Sequence, residues 1–197
     1  MGIESVIGGG QVLFEQSVTI VAYVSEGYKW NLWESSYPEL IPNSYLETYT
    51  FNMPASAITL TARATEMYYN VTFYDEYGNT VLDSQTVKYK KSAKLPLTPP
   101  TKPSTVCYDY EFDKWVTSVG GNEEADVTVI TKNTNIFAKF KAIIKTFTVT
   151  FYNDDNTIIQ VKGKDSQIVE YGMQPSFPTS ITKANTQISK FVFDKWL

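Results

Sequence analysis

Histidine is absent from the 197 residues, and cysteine occurs once, at Cys107. Without histidine there is no Ser-His-Asp triad, no Cys-His dyad and no histidine-ligated zinc. A single thiol cannot staple a domain, so cysteine usage fits cytoplasm and a Gram-positive-type surface equally. With no histidine or helix start beside it, Cys107 reads as an inert small side chain. Basic residues are not in excess: 17 against 21 acidic ones leave a net charge of -4, a poor match to a polyanion. Nucleic acid is therefore not an expected partner. No apolar run approaches the roughly 20 residues of a membrane-spanning helix. Met1 to Gly10 lacks a charged segment followed by an apolar one, so any export signal is expected outside this chain.

What the chain does have is aromatic side chains, 15% of its residues, and internal repetition. Tyr110-Glu111-Phe112-Asp113-Lys114-Trp115 returns as Phe191-Val192-Phe193-Asp194-Lys195-Trp196. A looser copy, Gly27-Tyr28-Lys29-Trp30-Asn31-Leu32-Trp33, keeps two large aromatics three residues apart. Three copies of one motif imply three modules of about 65 to 80 residues, near the lower limit for an independent core. The boundaries expected are 1–66, 67–143 and 144–197, the first with a short or missing opening strand and the last without closing strands. The third copy stops about 27 residues short of its sister by the repeat logic. The chain reads as a piece of a longer array.

The periodicity is that of strands. Tyr69, Val71 and Phe73 alternate with polar residues, and Phe147, Val149 and Phe151 do so with the same parity. A slip of one residue would turn every side chain over, so matched parity predicts the same strand in the same register. Asp75-Glu76-Tyr77-Gly78-Asn79 and Asn153-Asp154-Asp155-Asn156 are hairpin turns. Asp83-Ser84-Gln85 reappears as Asp165-Ser166-Gln167, with a five-residue insertion at Gln160 to Lys164 that predicts a bulge or lengthened arm. Prolines between Pro96 and Pro103 exclude a long helix in the crossover that follows. In the first module, Val12 and Phe14 with Val18, Ile20 and Ala22 predict a hairpin. A loop through Tyr37-Pro38 and Ile41-Pro42, a strand at Tyr49 to Phe51 and a closing strand at Ile58 to Ala62 follow. Gly8-Gly9-Gly10 opens a strand rather than a helix, so it is not a phosphate cradle. The second module is expected to close with strands at Val127 to Ile130 and Ile136 to Phe140. Phe112 and Trp115 have opposite parity, which predicts a turn at Asp113-Lys114 with Trp115 folded back as a lid.

These residues resemble the InlB B-repeat, or Listeria-Bacteroides repeat, of bacterial surface proteins. The resemblance rests on Val71-Thr72-Phe73-Tyr74-Asp75, Gly78, Val87-Lys88-Tyr89 and Phe112 to Trp115. The third module matches at Val149 to Tyr152, Val169 to Gly172 and Phe193 to Trp196. Lys114 and Lys195 stand where that pattern has glycine. The first module resembles the divergent form through Gly27 to Trp30, Trp33, Phe51-Asn52-Met53-Pro54 and Ile58 to Ala62. The resemblance implies a mainly β protein: small β-grasp-like antiparallel sheet modules in tandem, in an elongated array. It also implies an extracellular stalk, spacer or adhesion segment without catalytic residues, cofactor or metal. Phage structural proteins carry similar repeats, so a virion origin is the alternative.

Recurrence at one position per module makes Trp30, Trp33, Phe112, Trp115, Phe193 and Trp196 core anchors rather than a sugar platform. Tyr108 and Tyr110, which share a face, and Tyr68 and Tyr74 are the candidates for contact with a glycan or protein of a host or cell wall. The other expected partners are modules of the same longer chain and, through an open sheet edge, a second copy. Asn153 to Asn156 lacks the glycine and glutamate of a calcium loop and reads as a turn. Glu123, Glu124 and Asp126 lie in a loop without an apolar pocket to shift a pKa. Lys88, Lys90, Lys91 and Lys94 read as a solvated sheet edge.

Overall fold

A computed structural model of the protein describes residues 2–40, 45–179, 181–183, 187–190 and 192–196. Ile41-Pro42 and Phe191 lie outside them. The described residues contain strands and no helix, as expected of a mainly β protein.

The first module begins with β1 (Ile3–Ile7), antiparallel to β2 (Ser17–Val24), which pairs on its other side with β4 (Thr48–Asn52). A second sheet joins β3 (Tyr28–Ser35) to β5 (Leu60–Glu66). Alternation along β2 buries Val18, Ile20 and Ala22 against Trp33 and Phe51, and Thr19 faces solvent. The expected hairpin is present with a different first strand. Leu13 and Phe14 are exposed, because Glu15 takes a positive φ and its N–H donates to the Met53 carbonyl, which bends this segment into a loop. The closing strand starts at Leu60, not Ile58.

The second module is one sheet. Its strands are β6 (Tyr68–Tyr74), β7 (Val81–Lys88), β8 (Tyr108–Val116) and β9 (Thr134–Ile144), in the order β7-β6-β9-β8. The central pair is parallel, with Phe73 beside Ile136, and this is the β-grasp order with an irregular proline-rich crossover between β7 and β8. Val71, Phe73 and Ile136 are fully buried. The turn between β6 and β7 holds Gly78 at positive φ, and the Asp75 carboxylate accepts from the N–H groups of Tyr77 and Asn79.

Two expectations fail here. No turn interrupts Asp113-Lys114: β8 runs through to Val116, and the alternation breaks at its end, where consecutive Trp115 and Val116 are both buried. Val127 to Ile130 is not a strand either. Asp126 accepts from the N–H and the hydroxyl of Thr128 and bends the chain, while Ile130 exchanges backbone hydrogen bonds with Lys90 and Lys91.

The third segment repeats the opening of the second. Its strands are β10 (Thr146–Val149), β11 (Phe151–Tyr152), β12 (Ile158–Ile159) and β13 (Gln167–Glu170). Phe147 pairs with Val169 and Val149 with Gln167, as Tyr69 pairs with Val87 and Val71 with Gln85. The matched parity therefore gives matched register, although a break at Thr150 divides the opening strand. The insertion is a tight two-residue turn at Lys162-Gly163, both at positive φ, with Val161 and Lys164 exchanging backbone hydrogen bonds.

A side-chain clamp accompanies this register in both copies. Gln85 donates from its amide to the Lys94 carbonyl at 2.7 Å and accepts from the Lys94 N–H at 2.8 Å. Gln167 makes the same two bonds, 2.7 and 2.8 Å, to Ser176. The amide acts as one extra peptide unit that pins the start of the crossover to the sheet. Gln85→Leu should destabilise the second module by about 1–2 kcal/mol, since each exchanged bond nets about 1 kcal/mol. Urea unfolding reads this, and a variant as stable as the parent would show that the clamp carries nothing.

Spatially the chain divides into two compact units, Met1–Pro100 with Lys114–Lys139 and Thr101–Asp113 with Phe140–Leu197. The division cuts the Phe112 to Trp115 motif at its middle. In one unit Trp115 packs on Phe73, ring centres 4.9 Å apart; in the other Phe112 packs on Phe140 at 6.1 Å.

Candidate functional site: the joints and the tyrosine face

Where β5 passes into β6, a single residue, Met67, separates the strands. Its N–H donates to the Gly27 carbonyl at 2.8 Å, and its carbonyl accepts from the Tyr89 N–H at 2.9 Å. Where β9 passes into β10, Lys145 does the same, donating to Cys107 and accepting from Tyr171, both at 2.8 Å. Half of the pattern recurs near the start, where the Ser25 N–H donates to the Gly2 carbonyl at 3.1 Å. The two joints therefore share one backbone construction.

The side chains make the two joints unlike. At the first, the Glu66 carboxylate accepts from Lys88, from the Tyr68 hydroxyl at 2.6 Å and from the Tyr28 hydroxyl at 3.0 Å. The Glu26 carboxylate accepts from the Tyr89 hydroxyl at 3.0 Å and lies 2.6 Å from the Lys90 ammonium. Lys88, then Tyr68 and Tyr28, bring Glu66 down from 4.5 to about 2. Lys90 and then Tyr89 lower Glu26. Lys88 and Lys90, read from sequence as part of a solvated edge, are thus engaged with acids of the preceding module. At the second joint, Lys145 pairs with Asp109 at 3.7 Å, and the Cys107 thiol hydrogen-bonds the Tyr171 hydroxyl, raising its pKa.

Of the four candidate tyrosines, the structure brings Tyr108 and Tyr110 together, ring centres 6.5 Å apart. The Lys102 ammonium sits 4.2 Å over the Tyr110 ring, a cation–π contact that covers the face a sugar would stack on. Tyr68 is half exposed, but its hydroxyl serves Glu66; Tyr74 stacks on Phe137 at 5.5 Å. These two stand at opposite ends of β6 and make no common platform.

The anchors are placed as follows. Trp33 and Trp115 are buried; Trp30 meets Trp33 edge-on at 5.5 Å, and both indole N–H groups donate to carbonyls, of Tyr45 and Glu47. Trp196 is half-buried, 4.8 Å from Phe151 and 5.2 Å from Phe193. Phe193 is itself exposed and so is not the core anchor expected of it, because residues 192–196 form no strand to turn it inward. Trp196 nevertheless keeps the contact that Trp115 makes with Phe73. Together with Phe177 these rings line a cavity of about 700 Å³. Among the described residues β10 and β11 are paired on one side only, whereas β6 is paired on both.

The Asn153 to Asn156 turn engages its own donors, with Asp155 accepting from the N–H and the hydroxyl of Thr157. Glu123 accepts from the Thr117 hydroxyl. Among the described residues no three acidic or cysteine side chains cluster as a metal site would require. The shortness of the connections at Thr65-Glu66-Met67 and Ala142 to Lys145 is legible in the sequence, whereas their hydrogen bonds and the glutamine clamp are not, apart from the recurrence of Asp-Ser-Gln at 83–85 and 165–167.

Repeated strand register, a repeated clamp and repeated single-residue joints define a tandem β-repeat protein. Residues 4–66 match the Divergent InlB B-repeat domain and residues 69–139 the Listeria-Bacteroides repeat domain. Over those residues the chain belongs to this repeat family, the two modules standing in the order expected from sequence. Neither a curated protein nor a solved structure gives a match.

Proposed function

We propose that this chain is a non-catalytic spacer and adhesion segment of a bacterial surface or secreted protein, holding other parts of a longer protein at a set distance. The observation that carries this reading is the joint: one connecting residue, bonded on both sides to the backbone of its neighbours, leaves successive modules little rotational freedom. Length and stiffness then supply the function, as in other repeat proteins, where each unit contacts its neighbours in sequence. The third segment, 144–197, is a further copy of the same module in this reading, supported by its register and its clamp.

Small-angle scattering tests the spacer role. A compact sphere of this length has a radius of gyration of about 16 Å. A spacer should give a value well above that and a skewed distance distribution; a value near 16 Å overturns the reading.

A further inference from the structure

The two joints share their backbone bonds and a tyrosine tilted against the ring that opens the next strand, and differ in their charged groups. Aligned on those bonds, Gly27 corresponds to Cys107, Met67 to Lys145 and Tyr89 to Tyr171. The place of Glu26 is then taken by Val106, that of Glu66 by Ile144, that of Lys88 by Glu170 and that of Lys90 by Gly172. At the first joint both acids belong to the first module and both ammonium groups to the second, so each pair crosses the joint. At the second, the ion pair ties the linking Lys145 to Asp109 on β8 and does not reach the strands beyond.

We propose that the first joint is an electrostatically latched articulation and the second is not: neutralising Glu26 and Glu66 widens the arc the first module takes about Met67, within the limit its backbone bonds set, and leaves the second joint unmoved. The groups facing Glu66 are Lys88 and Tyr68 of the second module and Tyr28 of β3; those facing Glu26 are Tyr89 and Lys90. Every one of them is a donor, so nothing at the joint repels a second carboxylate. Once the charges are gone, what remains is the pair of backbone bonds through Met67 and the positive-φ turn at Gly27. A β-carbon at Gly27 would lie 2.9 Å from the Tyr89 ring, which shows how closely the two modules meet there.

The linkage has a definite sign. Glu66 is depressed from 4.5 to about 2, so its contribution is complete above about pH 4.5 and is lost as the pH falls toward 2. Lys88, Lys90, Tyr68 and Tyr89 are raised, so their share is present below their ordinary values and is lost in strong alkali. Across neutral pH the latch stays shut. This inference stands apart from the spacer role, since a chain of globular outline can still carry a latched joint, and the two experiments fail separately.

Spin labels carried by unnatural amino acids at Ser56, Leu82 and Ser166, with Cys107 left intact, report both joints in the full chain. In Glu26→Gln/Glu66→Gln at pH 7, the 56–82 distance distribution should widen at least twofold and the 82–166 distribution should not change. Lys88→Gln/Lys90→Gln should reproduce this from the other side, and Glu66→Lys with Lys88→Glu should keep the parent width. Circular dichroism checks that the strands persist. An unchanged 56–82 width in both neutralised variants, or equal widening of both distributions, overturns the proposal.

Discussion

Trp115→Ala should destabilise the second module by about 3–5 kcal/mol, the usual cost of deleting a buried tryptophan, whereas Trp196→Ala should cost the third segment about 1–2 kcal/mol. The two residues end the same Phe-Asp-Lys-Trp spelling and meet equivalent phenylalanines at 4.9 and 4.8 Å. They differ in burial, Trp115 being 6% exposed and Trp196 half-buried. Trp115 closes a core beneath a four-stranded sheet, and removing it leaves a cavity that β6 and β9 cannot collapse into. Trp196 has solvent on one side, so water fills the space it vacates. A module of about 70 residues has roughly 4–10 kcal/mol of stability in all, so the first substitution removes about half. Hydrogen exchange reads the difference: amides of β6 and β9 should lose two to three orders of magnitude of protection in Trp115→Ala, since about 1.4 kcal/mol is tenfold. Equal losses at both positions would show that burial is not what makes this motif an anchor.

Gly8→Ala should destabilise the first module by about 2–4 kcal/mol, through a left-handed backbone costing 1–2 kcal/mol and overpacking costing 1–3 kcal/mol. Gly8 has φ +98, and a β-carbon there would sit 2.2 Å from the Thr19 carbonyl oxygen on β2, which is backbone and cannot step aside. Gly9 has nothing within 4 Å and no positive φ, so Gly9→Ala should be neutral or stabilising. Thermal melts of the two variants compare them directly. If both melt with the parent, the close passage of the loop over β2 is wrong.

The three neighbouring glycines divide. They lie in the connection between β1 and β2 and do not open a strand as expected, and of the three only Gly8 is held against the sheet. The loop they begin takes Leu13 and Phe14 out to solvent, and the strand that pairs with β2 comes from Ile3 to Ile7 instead. Alternating apolar residues at Val12 and Phe14 satisfied the local pattern for a strand. Pairing is a choice among distant partners, and the Glu15 bond to Met53 settles it.

The amino-acid sequence by itself determined the parity of β6 and of β10 with β11, the hairpin turns, the recurrence of the Phe-Asp-Lys-Trp motif and the family of the first two modules. Each of these is carried by residues close together in the chain or by repetition of such groups, and period-two alternation needs no knowledge of what lies opposite. Tertiary structure alone decided that β8 runs unbroken through Asp113-Lys114, that Val127 to Ile130 is bent, and that Gln85 reaches Lys94. It also decided that Lys88 and Lys90 meet Glu66 and Glu26, acids 22 and 64 residues away. Charges and amides carry no periodicity that names a partner at such a distance; only the folded joint brings donor and acceptor within a hydrogen bond.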